Sequence, residues 1–318
     1  MRVLIVGGTR FVGLHLCWQL VEEGHQVVLF NRGKRVARLP EGIEQIHGDR
    51  DDVEDMLAKL KGEQFDAVFD TSGRELAQTR PLVEHFRGHI RHFVYISSAG
   101  VYQKGETWPL TEASPLDPKS RHLGKAETDQ YLIEQWSEHG FPATCLRPVY
   151  IYGPDNYNDI EQWFFDRLLA GRPLPVPGDG QTITQLGHAR DLARACTAIL
   201  GSSNAPGLVL NISGAELVTF DGLARACAAL IGIEPRIAHI DLNRLSSEQR
   251  KFFPLRAQHY FVSLERIRHE LHWQPKFPLI DGLQDSLDAY RSQGRSHAQI
   301  NFDRDEAVLA ATGPSPSI

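Results

Sequence analysis

Short aliphatic and β-branched runs recur along the first half of the chain, and segments of helical periodicity separate them. The first run, residues 3–6, carries no charge, which predicts a strand buried on both faces in the middle of a parallel sheet. Strands that alternate with helices at such intervals are typical of a doubly wound parallel sheet. The predicted strands are residues 3–6, 26–30, 43–47, 65–70, 93–98 and 143–146.

The pattern changes after the sixth predicted strand, where long loops rich in Pro, Gly and Asn follow. We therefore predict an α/β fold with two domains: a doubly wound parallel Rossmann sheet and a smaller α/β C-terminal domain. The Rossmann domain is predicted to comprise residues 1–153 plus about 186–212. The smaller domain is predicted to comprise about 154–185 and 213–310, and residues 311–318 are expected to be a frayed tail.

A glycine-rich turn, Gly7-Gly8-Thr9-Arg10-Phe11-Val12-Gly13, follows the first predicted strand. Gly7 permits a sharp exit from the strand. Gly13 lets the next helix pack closely on the sheet, with its amino end toward a phosphate. Arg10 stands where the dinucleotide fingerprint has its middle glycine, but the strand before and the helix after still favour a dinucleotide-binding turn. Its candidate cofactor contacts are Gly7, Gly8, Arg10, Phe11, Val12 and Gly13.

The end of the second predicted strand bears on which dinucleotide would bind. A pocket for the 2′-hydroxyl of NAD has an acidic residue near this position, whereas this chain has Asn31 and Arg32. Arg32, Lys34 or Arg35 could pair with a 2′-phosphate, which favours NADP over NAD. A solvated basic loop accounts for the same residues equally well.

Composition narrows the classes of protein only slightly. The chain has 318 residues, of which 42% are hydrophobic and 23% charged, enough for one large or two fused domains. A formal net charge of −6 argues against a protein that wraps nucleic acid over its whole surface, yet it leaves room for a local basic groove.

The cysteines and the apolar runs bear on compartment. Cys17, Cys145, Cys196 and Cys227 lie far apart in apolar surroundings, which predicts buried reduced thiols and no metal-ligand cluster. The first strand begins too early for a preceding signal or transit peptide, and no apolar run reaches transmembrane length. We therefore expect a soluble protein with no membrane partner.

Six motifs occur in one order along the chain and resemble those of the extended short-chain dehydrogenase/reductase family, which includes the NAD-dependent epimerases and dehydratases of nucleotide sugars. They are Gly7-Gly8-x-x-Phe11-Val12-Gly13, Gly48-Asp49, Tyr95-Ile96-Ser97-Ser98-x-x-Val101-Tyr102, Lys125, Arg147-Pro148-x-x-Ile151-Tyr152-Gly153-Pro154, and Gly178-Asp179-Gly180 with His188 and Asp191. The resemblance covers nearly the whole chain. It implies a Rossmann fold and a dinucleotide pocket, with Asp49, Ser72, Lys125 and Pro148 as further candidate contacts and His188 as a structural residue.

The chemistry of that family is carried by a Ser or Thr, a Tyr and a Lys. The resemblance assigns two of these roles, to Ser98 and Lys125, but the position four residues before the lysine holds Arg121. A guanidinium has no accessible neutral form near neutral pH, so it cannot exchange a proton with a substrate. The sequence thus predicts loss of the usual acid/base. Substitution by Tyr102, Tyr150 or Tyr152 from another position is the less favoured alternative.

Further segments resemble one branch of the family, the chloroplast stem-loop-binding proteins. They include Asp117-Pro118-Lys119-Ser120-Arg121-His122, Asn156-Tyr157-Asn158, Glu161-Gln162-Trp163-Phe164-Phe165, Gln185-Leu186-Gly187-His188 and Val218-Thr219-Phe220-Asp221-Gly222-Leu223-Ala224. This resemblance implies binding of RNA stem-loops, endoribonuclease activity assisted by a divalent cation such as Mg²⁺, and association with ribosomes and transcripts. Without a transit peptide, we expect a cytoplasmic bacterial counterpart or a mature protein of the plastid stroma.

A cluster of cations beside the predicted cleft suits RNA. Lys119, Arg121 and His122 are candidate RNA or phosphate contacts, and Arg32, Lys34 and Arg35 would form a second basic edge. The same cations would also suit the diphosphate of a dinucleotide or nucleotide sugar. His122 is a candidate base for a ribose 2′-hydroxyl.

Two functions from different classes therefore stand. The first is an RNA-binding protein on a dehydrogenase scaffold, with any dinucleotide bound as a structural or regulatory ligand. The second is an NAD(P)-dependent nucleotide-sugar epimerase, dehydratase or reductase. A third interpretation is a non-catalytic scaffold, a homodimer or larger assembly, for which the family's pairing through two helices of the first domain is a precedent.

Overall fold

The computed structural model describes residues 1–295 and 300–312 of the chain. In chain order its strands are β1 (Arg2–Val6), β2 (Gln26–Asn31), β3 (Glu44–His47), β4 (Ala67–Asp70), β5 (His92–Ile96), β6 (Ala143–Pro148), β7 (Ile151–Tyr152), β8 (Leu174–Pro177), β9 (Ile183–Gln185), β10 (Gly187–His188), β11 (Val209–Ile212), β12 (Leu217–Thr219) and β13 (Ile237–Ile240). Its α-helices are α1 (Phe11–Glu22), α2 (Val53–Leu60), α3 (Leu76–Phe86), α4 (Leu123–His139), α5 (Glu161–Leu169), α6 (Ala189–Ile199), α7 (Phe220–Ile231), α8 (Glu265–Leu271), α9 (Leu279–Ser292) and α10 (Asp303–Thr312).

The chain divides into two compact units. Unit 1 comprises residues 1–151, 187–213 and 262–276, and unit 2 comprises residues 152–186, 214–261 and 277–318.

Unit 1 is built on one parallel sheet of seven strands in the order β11-β6-β5-β4-β1-β2-β3. The order reverses between β1 and β4, which makes the carboxyl ends of these two strands the topological switch point of the sheet. The predicted doubly wound parallel α/β fold is therefore confirmed.

The central strands owe their position to their apolar sequence. Val3, Leu4 and Ile5 of β1 have no exposed surface, and β4 and β5 are buried along their whole length. Burying one such aliphatic side chain stabilises the fold by about 1.5–3 kcal/mol relative to leaving it in water. Ser97 and Ser98, which the sequence placed inside the fifth strand, come directly after β5.

Local signals set the ends of several helices. The Asp52 carboxylate accepts a hydrogen bond from the peptide N–H of Asp55 at 3.1 Å, which caps α2. Gly140 ends α4 in the left-handed conformation, at φ 65°. The four cysteines are free and buried, as predicted.

Residues 262–276 belong to unit 1, whereas the sequence placed them in the smaller domain. The peptide N–H of Lys276 donates to both carboxylate oxygens of Asp191, at 3.0 and 3.1 Å, and Val262 forms an isolated β-bridge with Leu110. These contacts join parts of the chain that are far apart in sequence, so no local pattern announces them. Of the predicted frayed tail, residues 311 and 312 end α10 and residues 313–318 lie outside the described residues.

Unit 2 combines small sheets with an aromatic core. Strands β8 and β13 pair in parallel, and β9 and β12 pair antiparallel. Trp163, Phe164 and Phe165 of α5 are all buried. Their ring contacts include Phe253 and Tyr290 within unit 2.

Candidate functional site at the carboxyl edge of the unit 1 sheet

The glycine turn after β1 has the backbone that its sequence requires. Gly7 and Gly8 adopt φ values of 118° and 88°, which side-chain-bearing residues rarely reach. A Cβ on Gly13 would lie 2.8 Å from the peptide nitrogen of Gly8, so only glycine lets α1 approach the turn this closely. Arg10, exposed to solvent, precedes α1. The turn thus fits a dinucleotide, whose phosphates would meet the amino end of α1.

Ser98 and Lys125 both lie at the carboxyl end of β5. The Ser98 hydroxyl accepts a hydrogen bond from the peptide N–H of Gly100 at 3.0 Å, and the Lys125 ammonium donates to the carbonyl of Ile96 and lies 5.2 Å from the ring centre of Tyr95. Burial lowers the pKa of Lys125 to about 8, although the charges of Asp70 and Asp129 oppose this shift. The two residues to which the resemblance assigns catalytic roles therefore occupy one edge of the sheet.

Arg121 and His122 contact each other directly at the start of α4. The Arg121 Nε–H donates to Nε2 of His122 at 3.2 Å. The His122 ring lies against Gly100: the position of a Cβ on that glycine is 2.8 Å from His122 Nε2 and 3.0 Å from Ser98 Oγ. Because the bond from Arg121 uses the Nε2 lone pair, that nitrogen is not available as a general base in this arrangement. His122 as a base toward ribose stays a prediction.

The three substitute tyrosines differ in what their phenols can do. Tyr102 is buried, donates to Asn211 Oδ1 at 2.7 Å and accepts from Arg147 at 3.2 Å. Burial raises the pKa of Tyr102 to about 12, and its bonds are those of a structural residue. Tyr152 belongs to unit 2, where it is buried and its phenol donates to the carbonyl of Leu279 at 3.4 Å. Tyr150 is half-buried in unit 1 and stays a candidate.

The basic loop after β2 is exposed. The Asn31 side chain donates to Gln45 Oε1 at 3.0 Å and accepts from the peptide N–H of Gly33 at 2.8 Å, so both ends of this amide hold the loop in place. Arg32, Lys34 and Arg35 are exposed and form no ion pair within residues 1–295 and 300–312. Strands β1 and β4 separate this loop from the Arg121 cluster, so the predicted cations lie in two separate clusters.

A buried ion pair that sequence reasoning missed lies at the switch point. Arg50 donates from Nη1 to Asp70 Oδ1 at 2.6 Å and from Nη2 to Asp70 Oδ2 at 3.0 Å. Asp70 also accepts from Thr79 Oγ1 at 2.7 Å and from the peptide N–H of Gly73 at 2.9 Å. Burial alone would raise the pKa of Asp70, but the Arg50 charge and these hydrogen bonds hold it below its ordinary value. The sequence signal that could have revealed this pair is Asp70 itself, a carboxylate at the end of an apolar strand.

Ser72 joins this pair to the glycine turn. Its hydroxyl donates to the carbonyl of Val6 at 3.1 Å and accepts from Arg50 Nη1 at 2.8 Å. A Cβ on Gly7 would lie 3.5 Å from the Ser72 Cβ, which places this predicted contact beside the turn. The only proton of the hydroxyl is used inside the protein, so Ser72 offers a ligand an acceptor rather than a donor.

The remaining predicted contacts lie at neighbouring strand ends. Asp49 follows β3 and its carboxylate accepts from the peptide N–H of Asp51 at 3.2 Å. Pro148 ends β6 and is half-buried. Lys119 lies in the loop before α4, where its peptide N–H donates to Asp117 at 2.8 Å and its side chain forms no ion pair within the described residues. Phe11 and Val12 form the first turn of α1, with Phe11 at φ 39°.

Among residues 1–295 and 300–312, no group of three or more His, Cys, Asp or Glu side chains is arranged to hold a metal ion. None of the described helices combines the length and the apolar character needed to span a membrane.

Comparison with known proteins assigns the chain to a family. The model described as the NAD dependent epimerase/dehydratase family matches residues 3–213. The structure of a dTDP-glucose 4,6-dehydratase from Bacillus anthracis in complex with NAD aligns with 93% of this chain and 98% of its own, with a TM-score of 0.78 and 21% identity. The chain therefore belongs to the NAD-dependent epimerase/dehydratase family, whose members include proteins that bind NAD.

Sequence relatives refine this placement. The chain is 44% identical, over 97% of its length and 84% of the relative's, to the chloroplast stem-loop binding protein of 41 kDa b from Arabidopsis thaliana. It is 25% identical, over 92% of its length and 98% of the relative's, to a dTDP-glucose 4,6-dehydratase from an Actinoplanes species. The predicted resemblance to the stem-loop-binding branch is thus confirmed.

Proposed function

We propose that this protein binds RNA of stem-loop type on the carboxyl edge of unit 1 and that it keeps a dinucleotide pocket without the family's usual proton-transfer residue. The observation that carries the proposal is Arg121, a fixed cation at the position of the family tyrosine. The 44% identity to a chloroplast stem-loop binding protein supports the same function.

The charge around Arg121 favours a polyanion. One N–H of the exposed guanidinium bonds to His122, and the others have no partner among residues 1–295 and 300–312. Lys119, two residues earlier, is likewise without a compensating carboxylate within those residues. Two exposed cations on one loop can each neutralise a phosphate of an RNA backbone.

For the dinucleotide we propose NADP rather than NAD. The support is the loop after β2, where Arg32, Lys34 and Arg35 stand without acidic partners in the described residues. The glycine turn and Lys125 would hold the dinucleotide, which supplies a hydride acceptor when bound. Because position 121 holds an arginine, we infer that the dinucleotide acts as a structural or regulatory ligand.

The resemblance to the stem-loop-binding branch also supports three broader proposals. The protein acts as an endoribonuclease assisted by Mg²⁺, which would bind together with the RNA phosphates. It associates with ribosomes and transcripts, as a homodimer or a larger assembly. It works in a bacterial cytoplasm or in the plastid stroma.

The RNA proposal is tested by fluorescence anisotropy with a labelled stem-loop RNA. We expect Arg121→Gln to weaken binding about tenfold at moderate salt and to lower the slope of log K against log[salt] by about 1, because one phosphate contact is lost. Arg91→Gln is the matched control, since Arg91 is 73% exposed and precedes β5 at the opposite edge of the sheet. Equal affinities of the two variants, or wild-type binding no tighter than that of an unrelated acidic protein, would contradict the proposal.

A second function, NAD(P)-dependent conversion of a nucleotide sugar, is favoured by the retained Ser98 and Lys125. It predicts turnover of a UDP- or dTDP-sugar that Lys125→Ala abolishes, with half-buried Tyr150 as the substitute acid/base. Product analysis by mass spectrometry after incubation with NADP or NAD decides this. Purified protein that neither contains nor takes up a dinucleotide rules this function out.

A further inference from the structure

Trp18 is a large aromatic side chain on the outer surface of α1. It is 41% exposed, whereas Leu14 and Cys17 of the same helix are buried. Its indole Nε1–H donates to the carbonyl of Arg38 at 2.9 Å, which fixes the ring against the loop after β2. Trp18 lies seven residues after Phe11, about 10 Å along the helix from the glycine turn. The ring is therefore a surface feature outside the dinucleotide crevice.

The loop that holds Trp18 is strongly basic. Residues 26–40 contain four basic and no acidic side chains, in a chain whose formal net charge is −6. The basic residues are Arg32, Lys34, Arg35 and Arg38, and all four are exposed. None of them forms an ion pair with another residue that the structure describes. A group of exposed cations without ion pairs attracts a polyanion.

Charge and ring occur together on this surface, which we call the α1 surface and define as Trp18 with residues 34–38. Val36, inside the loop, is fully exposed and offers an apolar contact among the cations. An acidic protein would need only the charges. A single-stranded nucleic acid uses both features, because its phosphates pair with cations and its bases stack on exposed aromatic rings. The bases of a double helix are stacked on each other and offer no face to Trp18.

We propose that the α1 surface binds an unpaired RNA segment, with one base stacked on Trp18 and the adjacent phosphates on Lys34, Arg35 and Arg38. The inference rests on the RNA binding of the proposed function. It adds a second contact, outside the carboxyl edge of the sheet, for the single-stranded nucleotides that flank a stem. Because the bond to the Arg38 carbonyl already fixes the indole, little side-chain freedom is lost when a base stacks on it.

The test compares two labelled RNAs by fluorescence anisotropy. One is a blunt-ended stem closed by a structured UUCG loop, and the other is the same stem-loop with about six unpaired nucleotides at its 3′ end. Wild type is expected to bind the extended RNA about tenfold tighter, because it gains a stacked base and phosphate contacts. Trp18→Ala should lose most of this gain and bind the blunt RNA as before. Trp136→Ala is the matched control, because Trp136 of α4 is 39% exposed.

Charge and stacking can be measured separately. Arg38→Gln should lower the slope of log K against log[salt] by about 0.7 for the extended RNA only, because one contact to a single-stranded phosphate is lost. The chain has five tryptophans, so wild-type protein labelled with 5-fluorotryptophan reports on stacking by ¹⁹F NMR. Oligouridylate should shift the resonance of Trp18, assigned with Trp18→Phe, and leave that of Trp136 in place. An abasic oligonucleotide of the same length, which has the phosphates without the bases, should shift neither.

Two results overturn the inference. One is an equal gain from the unpaired nucleotides in wild type and Trp18→Ala. The other is equally tight binding of oligouridylate and the abasic oligonucleotide, which would make the loop a site for any polyanion, such as an acidic protein.

The outcomes also separate this inference from the proposed function. Wild type that binds the blunt stem-loop through Arg121, with no gain from the unpaired extension, overturns the α1 surface alone. Wild type that binds oligouridylate at Trp18, but binds the blunt stem-loop no tighter than an unrelated acidic protein does, overturns stem-loop binding alone.

Discussion

Arg121 changes the chemistry of this edge more than any other single residue. A phenol at this position could exchange a proton with a substrate, whereas a guanidinium has no accessible neutral form near neutral pH. Its Nε–H also donates to Nε2 of the neighbouring His122. What remains beside Ser98 is a fixed positive charge, which suits binding of phosphate better than transfer of a proton.

Lys125 is the titratable group of this edge that we expect to respond near neutral pH. Its pKa is about 8 in the folded protein against an ordinary value of 10.5, because burial disfavours the charged form. The unfolded chain therefore holds more protons than the folded one between these values, so the contribution of Lys125 to stability rises with pH across this window. We expect the free energy of unfolding of wild type to gain about 1–2 kcal/mol relative to Lys125→Met between pH 7.5 and 9.5.

Urea denaturation of wild type and Lys125→Met at the two pH values measures this difference, and the effects of all other groups cancel in the comparison. Reductive ¹³C-methylation followed by NMR titration gives the pKa of Lys125 directly, with Lys125→Arg identifying the resonance. Parallel stability profiles of the two proteins would show that the lysine titrates outside this range.

At the scale of elements, Glu161 ties the loop before α5 to the helix. The carboxylate is fully buried, accepts from Asn156 Nδ2 at 2.9 Å and accepts from the peptide N–H of Gly153 at 3.4 Å. Burial raises its pKa to about 7 from 4.5, more than these hydrogen bonds lower it. The junction between the loop and α5 is thus built on a carboxyl group that resists ionisation.

Glu161→Gln removes this titration. Between pH 4.5 and 7 the folded protein binds the extra proton, so the wild-type protein loses stability as pH rises through this window. We expect the free energy of unfolding of wild type to fall by about 2–3 kcal/mol relative to Glu161→Gln between pH 5 and 8. The glutamine amide would face the same two donors, Asn156 Nδ2 and the peptide N–H of Gly153, which destabilises the variant. This loss of stability is the same at both pH values, so it cancels in the difference. Denaturant titrations at pH 5 and 8 measure the free energy of unfolding of both proteins. A difference between wild type and Glu161→Gln that does not change with pH refutes the raised pKa of Glu161.

Elements that depend on a few neighbouring residues could be predicted from the sequence. Features that depend on contacts between residues far apart in sequence could not. The strand after Arg2 and the turn at Gly7 follow from an uncharged apolar run and from positive φ, both of which lie within a few neighbouring residues. The Arg50–Asp70 pair joins two residues that are 20 apart in sequence. Arg50 follows β3 and Asp70 ends β4, and β1 and β2 lie between these two strands in the sheet. Arg121 and His122 were each identified as candidates, but their mutual bond depends on rotamers that sequence does not fix.

At the scale of the whole molecule, a net charge of −6 and RNA binding are compatible because charge acts locally. At physiological ionic strength, electrostatic interactions between exposed charges fade over about 8 Å. The cations at the end of β2 and those before α4 are separated by two strands of the sheet, so each cluster acts on the phosphate nearest to it. Net charge then governs solubility and long-range repulsion rather than the contact itself.

The proposed ligands share one edge of unit 1, and from this we predict that they compete. Arg121 lies four residues before Lys125, and the His122 ring and Ser98 both lie against Gly100, so RNA phosphates on Arg121 lie next to the groups that would hold the dinucleotide. Occupancy of the crevice by NADP should raise the apparent Kd of the stem-loop RNA in proportion to one plus the ratio of NADP to its own Kd. At ten times that Kd the increase is about tenfold. Anisotropy titrations of labelled RNA at increasing NADP measure this, with sodium chloride at the same ionic strength as the control for screening. An apparent Kd that stays constant at saturating NADP places the two ligands on separate surfaces, and the cations of the loop after β2 would then be the first alternative RNA contacts to replace by mutation.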